Sequence, residues 1–258
     1  MHTSQDVAKS ADGTPIAFER SGSGPAVVMV DPAGGYSGFD TIRRLGSLLA
    51  DHFTVHTYDR RGRGASGDTP PYAVQREVED LAAVIAEAGG SACVYGFSSG
   101  GLLALHAAAG GLPITRLALF EPPVRGEDEP PDLAFTARIA ELVAAGRRAE
   151  AVREFLTSTG VPPEMMAELG PTLPALEAVA HTLVYDCEIS NATTHALLRE
   201  VRVPALVLDS QGSSDDLTGG TAAIAAALPH GVRRSLPGGW HGADDEAVAA
   251  AVTEFFRG

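Results

Sequence analysis

At 258 residues the chain is long enough to bury a full core and fits one α/β domain carrying an inserted lid. A net charge of −14 argues against a polyanionic partner such as nucleic acid, and the single basic run Arg60-Arg61-Gly62-Arg63 is too local to change that. Cys93 and Cys187 have neither a disulfide framework nor a metal-ligand spacing, so they read as reduced core thiols, and no metal or cofactor is implied. Met1 to Ala11 is polar and lacks the apolar centre of a signal peptide, and no run approaches a membrane span. A cytoplasmic protein with no membrane partner is expected, as a monomer or homodimer acting on a small molecule.

Val7 to Lys9 and Ile16 to Glu19, parted by Asp12-Gly13, predict a hairpin that opens a sheet. Ala26 to Val30 is a continuous apolar run, as expected of a strand covered on both faces, and it ends at Asp31-Pro32-Ala33-Gly34-Gly35. A helix from about Phe39 to Ala50, a strand from Phe53 to Tyr58 and a helix from Ala73 to Ala88 follow. The loop Asp59 to Gly67 is glycine-rich, but it lacks the Lys-Ser/Thr of a P-loop and the spacing of a dinucleotide motif, so it reads as a structural turn. Alternation of strands and helices implies right-handed crossovers and a mostly parallel sheet.

Cys93-Val94-Tyr95-Gly96-Phe97-Ser98-Ser99-Gly100-Gly101 is the stretch around which the rest is organised. An apolar strand ends in Gly96-x-Ser98-x-Gly100 and a helix of small residues starts at once. The glycines leave room for a serine held in strained backbone, with a helix N-terminus beneath it. Ile114 to Phe120 is the next strand, ending at Glu121-Pro122-Pro123. From residue 125 to 202 strand patterns vanish, and helices are predicted over Asp132 to Ala145, Arg147 to Thr157, Pro163 to Leu169, Leu173 to Tyr185 and Asn191 to Glu200. This predicts a helical insertion over the sheet's C-terminal edge, with a core domain of 1–124 and 203–258. Strands at Ala205 to Leu208 and Val232 to Leu236 and helices at Thr221 to Leu228 and Asp245 to Phe256 complete the chain.

Ser98 is the expected nucleophile, and a serine hydroxyl needs a base that works near neutrality. Of the eight histidines, His241 is best placed, in the glycine-rich loop after the last strand. His106 faces the core of the helix after Ser98, His181 and His195 fall in the insertion, and His2, His52, His56 and His230 read as peripheral. The acid that orients the imidazole is preferred at Glu121, which ends the strand beside that of Ser98, with Asp209 at the end of the next strand as the alternative. For the oxyanion, the N–H of Ser99 is one expected donor. Pro32 has no N–H, so Ala33 is the other, with Gly34 second. Tyr36, Phe97 and Trp240 lie beside these groups in sequence and are expected to wall the substrate pocket, with Gly34 a further expected substrate-binding residue.

Together these residues resemble the α/β-hydrolase superfamily over essentially the whole chain. Gly96-Phe97-Ser98-Ser99-Gly100 is similar to its nucleophile elbow, Tyr58-Asp59-Arg60-Arg61-Gly62-Arg63-Gly64-Ala65-Ser66-Gly67 to its loop after strand four, and His241 to its base. The resemblance implies a mostly parallel eight-stranded sheet with helices on both faces, an elbow after strand five, a helical cap after strand six and the histidine after strand eight. Two departures stand out. Asp31-Pro32-Ala33-Gly34 replaces the usual His-Gly oxyanion loop, and the stretch from Asp209 to Asp215 lacks the usual Gly-x-x-Asp. Members that take their acid from the end of strand six include the zearalenone-type lactone hydrolases, which look similar at the Ser-Ser-Gly elbow and at the Glu-Pro position. The reading that follows is a serine hydrolase of esters or lactones. A non-hydrolytic lyase or cyclase of the same fold, and a ligand receptor that keeps the triad, are the alternatives.

Overall fold

The computed structural model describes residues 5–258; the expectation for His2 and the first residues of the N-terminus lies outside them. Strands β1 (Gln5–Lys9) and β2 (Pro15–Gly22) form the antiparallel hairpin. Its turn is held by the Thr14 N–H donating to Asp12 Oδ1 at 2.9 Å. The other strands are β3 (Ala26–Val30), β4 (Thr54–Tyr58), β5 (Ala92–Phe97), β6 (Ile114–Phe120), β7 (Ala205–Ser210) and β8 (Gly231–Leu236). All eight join one sheet in the order β1-β2-β4-β3-β5-β6-β7-β8. From β4 to β8 every pairing is parallel. The chain passes from β3 outward to β4 and then back across to β5 on the other side of β3. The loops leaving β3 and β5 therefore diverge at the sheet's C-terminal edge and open a crevice there.

Alternation along each strand feeds two cores. In β3, Val28 and Val30 face the cluster under α2 (Val74–Glu87) and α3 (Ser99–Ala109), while Val27 and Met29 face the one under α1 (Arg43–Leu49) and α11 (Asp245–Arg257). Both faces are dry, which is why these strands read as unbroken apolar runs. Helix α1 begins at Arg43 rather than near Phe39: Phe39 is taken up by a bridge to Tyr36, its N–H donating to Tyr36 O at 2.9 Å, and the Asp40 carboxylate accepts the Arg43 N–H at 2.8 Å in the turn before the helix.

Between β6 and β7 lie α4 (Leu133–Ala144), α5 (Arg148–Ser158), α6 (Pro163–Glu168), α7 (Leu173–Ala178), α8 (Leu183–Ala192) and α9 (His195–Leu198). The helix expected over Leu173 to Tyr185 is two helices. Val179 leaves helical geometry at φ −110°, ψ 15°, and a short 3₁₀ turn over Ala180–Thr182 buries Ala180 and Thr182. Ile139, Leu142, Ala151, Val152, Leu176 and Leu183 make a small third core, against which Ala33 and Phe39 of the loop after β3 pack. Helix α8 belongs to two cores at once, since Cys187 joins the small one and Ile189 the one under α3. After β7, α10 (Asp215–Ala227) starts six residues before the expected Thr221. Ser214 caps it and Asp215 and Asp216 sit in its first turn, which outweighs the helix-weakening Gly219-Gly220 pair. Among the described residues no helix is long and apolar enough to cross a membrane.

Candidate active site

Ser98 sits between β5 and α3 at φ 52°, ψ −123°, backbone that costs on the order of 1–3 kcal/mol for a residue with a Cβ. The glycines flanking it carry close contacts. A Cβ on Gly96 would lie 2.7 Å from Gly100 O, and one on Gly100 would overlap the carbonyls of Val30 and Asp31, the latter at 2.5 Å. The first turn of α3 thus rests directly on the end of β3, and the Ser98 N–H donates to Phe120 O on β6 at 2.9 Å. Three strand ends are locked together around the serine, which is half-buried.

His241 lies at the tip of a two-residue hairpin, β9 (Gly238–Gly239) paired with β10 (Gly242–Ala243). Glycine is required on both sides of the nesting loops. A Cβ on Gly212 would overlap Gly238 O, and one on Gly238 would come within 2.7 Å of Ser210 Oγ. The Ser213 hydroxyl accepts the His241 N–H at 2.9 Å, while the Ser210 hydroxyl donates to Gly239 O at 2.6 Å. So placed, the imidazole centroid lies 5.0 Å from that of the ring of Phe97, the residue that precedes Ser98 in the chain.

The structure separates the two expected acids. Glu121, at φ 42° immediately after β6, is fully buried, and its Oε2 lies 2.7 Å from His241 Nδ1. Its Oε1 accepts the Ser210 N–H at 2.7 Å. Burial pushes this carboxyl upward, but the hydrogen bonds from His241, Ser210 and Ser213 outweigh it and hold Glu121 below the ordinary glutamate range. As an anion it accepts the Nδ1–H and leaves Nε2 as the basic ring nitrogen. Asp209 does not meet His241. In the β7–β8 register it stands opposite Ser235, accepts the Ser235 hydroxyl at 2.5 Å and pairs with Arg233 Nε at 2.6 Å. Strand parity does not divide them, since Leu119 pairs with Val207 and both acids lie two residues further on along the same face; Glu121 has left strand geometry at φ 42° and turns out of the sheet, whereas Asp209 is still inside β7 and stays with its β8 neighbours.

Among the described residues, the N–H groups of Ala33 and Ser99 donate to no protein acceptor. Gly34, at φ 70°, passes under the helical segment so closely that a Cβ would lie 2.5 Å from Leu176 Cδ2. Tyr36 is half-buried and its hydroxyl donates to Ala175 O on α7 at 3.3 Å, so it ties the β3 loop to the helical segment. Phe97 packs edge-on against Phe120, with ring centroids 5.6 Å apart. Trp240 flanks His241 at 5.3 Å. The structure thus puts Phe97 and Trp240 against the imidazole and Tyr36 at the seam with the helices.

Two features went unread in the sequence. The Arg60-Arg61-Gly62-Arg63 run is no exposed patch: all three guanidinium groups are buried. Arg60 forks onto Glu77 at 2.7 and 2.8 Å, Arg61 forks onto Asp80 at 2.7 Å through both nitrogens, and Asp186 of α8 takes one nitrogen each from Arg60 and Arg63 at 2.9 and 2.7 Å. The only signal for Arg60 and Arg61 was the i, i+3 pair Glu77 and Asp80 on the apolar side of α2; Asp186 had none. The second is Asp31, fully buried with Oδ1 accepting the Thr41 hydroxyl at 2.6 Å and Oδ2 unpartnered. His56, expected at the periphery, is buried on β4 beside Phe18. Among the described residues no group of three or more His, Cys, Asp and Glu side chains is arranged to hold a metal ion.

This arrangement, a strained serine after β5, a buried acid after β6 and a histidine after β8, accompanies a match of residues 27–251 to the alpha/beta hydrolase family. The chain belongs to that family. The crystal structure of an alpha/beta hydrolase from Sphaerobacter thermophilus DSM 20745 is similar at 46% identity and a TM-score of 0.90, covering 97% of this chain and all of that one. A hydrolase from Pseudomonas aeruginosa PA01 shares the fold at 23% identity and a TM-score of 0.76, with 97% of each chain covered. The pimeloyl-[acyl-carrier protein] methyl ester esterase of Xanthomonas campestris pv. campestris is 29% identical over 246 residues, which cover 85% of this chain and 89% of that protein.

Proposed function

We propose that this alpha/beta hydrolase cleaves a carboxylic ester or lactone of a small organic molecule through an acyl-enzyme on Ser98. The observation that carries the reading is the 2.7 Å contact between His241 Nδ1 and the buried Glu121 carboxylate, with the imidazole packed on Phe97, the residue that precedes the strained serine. A carboxylate that is costly to bury, steadied by the Ser210 N–H on one oxygen and aimed at an imidazole with the other, is the signature of a base held in one tautomer.

In this mechanism His241 Nε2 takes the Ser98 hydroxyl proton as Oγ attacks the carbonyl carbon. The tetrahedral oxyanion is received by the N–H groups of Ala33 and Ser99. As it collapses, the bond to the alkoxy oxygen breaks and His241 returns the proton to that leaving oxygen. A water deprotonated by His241 then attacks the acyl-enzyme, releasing the acid and free Ser98; from a lactone the product is one hydroxy acid. Glu121 orients the imidazole and stabilises its cation, and Asp209 has no part in the step. Residues 125–202 serve as a cap over the core formed by 1–124 and 203–258. Tyr36, Phe97, Trp240 and Gly34 bound the substrate pocket. The ester name carried by the Xanthomonas relative supports ester chemistry in general.

The test is intact-protein mass after treatment with a fluorophosphonate, together with turnover of p-nitrophenyl acetate. A single adduct on the parent that is absent from Ser98→Ala, with turnover lowered at least about 10³-fold in that variant, is the expected result. An unlabelled, inactive folded parent would overturn the reading and favour a receptor.

A further inference from the structure

Asp186 is the hub of a buried charge cluster that touches both sides of the crevice. Its Oδ1 accepts the Ser99 hydroxyl at 2.8 Å and Arg60 Nη1 at 2.9 Å, and its Oδ2 accepts Arg63 Nη2 at 2.7 Å. Arg63 uses its other terminal nitrogen on the Pro32 carbonyl, at 2.7 Å, and on Gly35 O at 3.3 Å. Arg60 Nη1 reaches Asp31 O, also at 3.3 Å. The side chains of Arg60, Arg63, Glu77 and Asp186 are at most 1% exposed, and their two positive and two negative charges cancel.

Pro32 C=O and Ala33 N–H are the two ends of one peptide unit. A trans peptide is planar, with its carbonyl and N–H pointing in opposite directions, so a guanidinium that fixes the carbonyl also fixes the aim of the N–H. The same hydrogen bond polarises the peptide and strengthens the N–H as a donor. On the other side of the crevice, the Ser99 hydroxyl bound to Asp186 pins the residue whose N–H opens α3. A carboxylate on the helical segment therefore controls two backbone donors that come from two different core loops.

We infer that Asp186 is a positioning residue of the oxyanion site, holding the Ala33 N–H through Arg63 and the Ser99 N–H through the Ser99 hydroxyl, so that α8 of the helical segment is a working part of catalysis. The inference rests on the ester or lactone hydrolase reading above. It assigns to Asp186 no contact with substrate. Glu77 keeps Arg60 paired if Asp186 is neutralised, but Arg63 then loses the one carboxylate it pairs with among the described residues, and the Pro32 carbonyl, which also accepts the Gly35 N–H at 3.1 Å, is held less firmly.

The test compares parent, Asp186→Asn and Ser99→Ala in turnover of p-nitrophenyl acetate, each well below its own melting temperature and with active sites counted by fluorophosphonate. Asp186→Asn is expected to lower kcat by about 10²-fold, the scale of one lost oxyanion donor, with KM changed less than about threefold. Affinity for phenylboronic acid, which becomes tetrahedral on Ser98, is expected to fall in parallel, while inhibition by benzoate is unchanged. A purely structural Asp186 would lower the melting temperature and leave kcat per counted site at the parent value, and that result overturns the inference. Ser99→Ala strands no buried charge and remains measurable if Asp186→Asn does not fold; a fall in kcat of about tenfold at constant KM is expected, and parent kcat overturns the inference. A parent with neither turnover nor adduct removes the hydrolase reading and the inference together, whereas an active parent with an equally active Asp186→Asn removes the inference alone.

Discussion

Glu121 and Asp209 are both acids at the ends of adjacent buried strands, both fully buried, and their neighbours alone divide their roles. Glu121→Gln replaces an acceptor facing Nδ1 with an amide that tolerates the opposite tautomer, so kcat/KM for an aryl ester is expected to fall about 10²–10⁴-fold. Asp209→Asn is expected to stay within about threefold of the parent in kcat/KM while losing about 1–3 kcal/mol of stability, because Arg233 and Ser235 lose a charged acceptor. Denaturant titration and kinetics on the two variants check the pair, and the opposite pattern would reverse the assignment.

A third carboxyl makes a pH-dependent prediction. Burial pushes Asp31 up from 3.8 to about 6, against the lowering effects of the Thr41 hydrogen bond and of Arg43 and Arg63, with Asp59 adding to the rise. Because the folded chain holds this proton after the unfolded chain has released it, Asp31 costs nothing below about pH 4. Its cost grows as pH rises and is complete above about pH 6, at roughly 3 kcal/mol. Asp31→Asn keeps an acceptor for Thr41 and carries no charge. It is expected to raise the melting temperature most at pH 8 and hardly at all at pH 4, and an equal gain at both would refute this account.

At the scale of elements, the passage from β5 through Ser98 to α3 depends on close backbone approach. A methyl on Gly100 would overlap the carbonyls of Val30 and Asp31, neither of which can yield without opening the β3–β5 pairing. Gly100→Ala is therefore expected to cost more than about 3 kcal/mol, read as a lowered urea midpoint. The glycine pattern made this element legible because the tight turn writes its need at fixed offsets, a glycine two residues before the serine and another two after it, even though the backbone that Gly100 meets belongs to β3 and the loop after it. The helix over Leu173 to Tyr185 was misread for the complementary reason. Its apolar spacing continues through Val179 to Thr182, but the turn that buries Ala180 and Thr182 against neighbouring elements breaks the helix, and no local periodicity records that.

At the scale of the molecule, the helical segment and the sheet share α8 and the ion pairs of Asp186. Detaching the segment would break the pairs of Asp186 with Arg60 and Arg63 and expose Ile189, which α8 buries in the core under α3, to water, and both effects oppose separate unfolding. Unfolding in urea is expected to show one transition, with the fluorescence of the single tryptophan, Trp240, and far-UV ellipticity sharing a midpoint. Loss of ellipticity ahead of the fluorescence change would mean that the segment melts independently.

By itself the sequence determined the order of strands and helices, the strained serine between two glycines, the helical stretch after β6 and the loop that carries His241. Each of these is written in spacings of a few residues, where sterics and hydrophobic period act directly. Only the tertiary structure decided that Glu121 and not Asp209 meets an imidazole 120 positions away, and that a basic run is a buried brace closed by Asp186, 123 positions beyond Arg63. Those outcomes depend on where a strand ends, as at Glu121 with φ 42°, on register and on which loops the crossovers bring to one edge. A carboxylate's neighbours in space, which set its charge and its work, leave no trace among its neighbours in the chain.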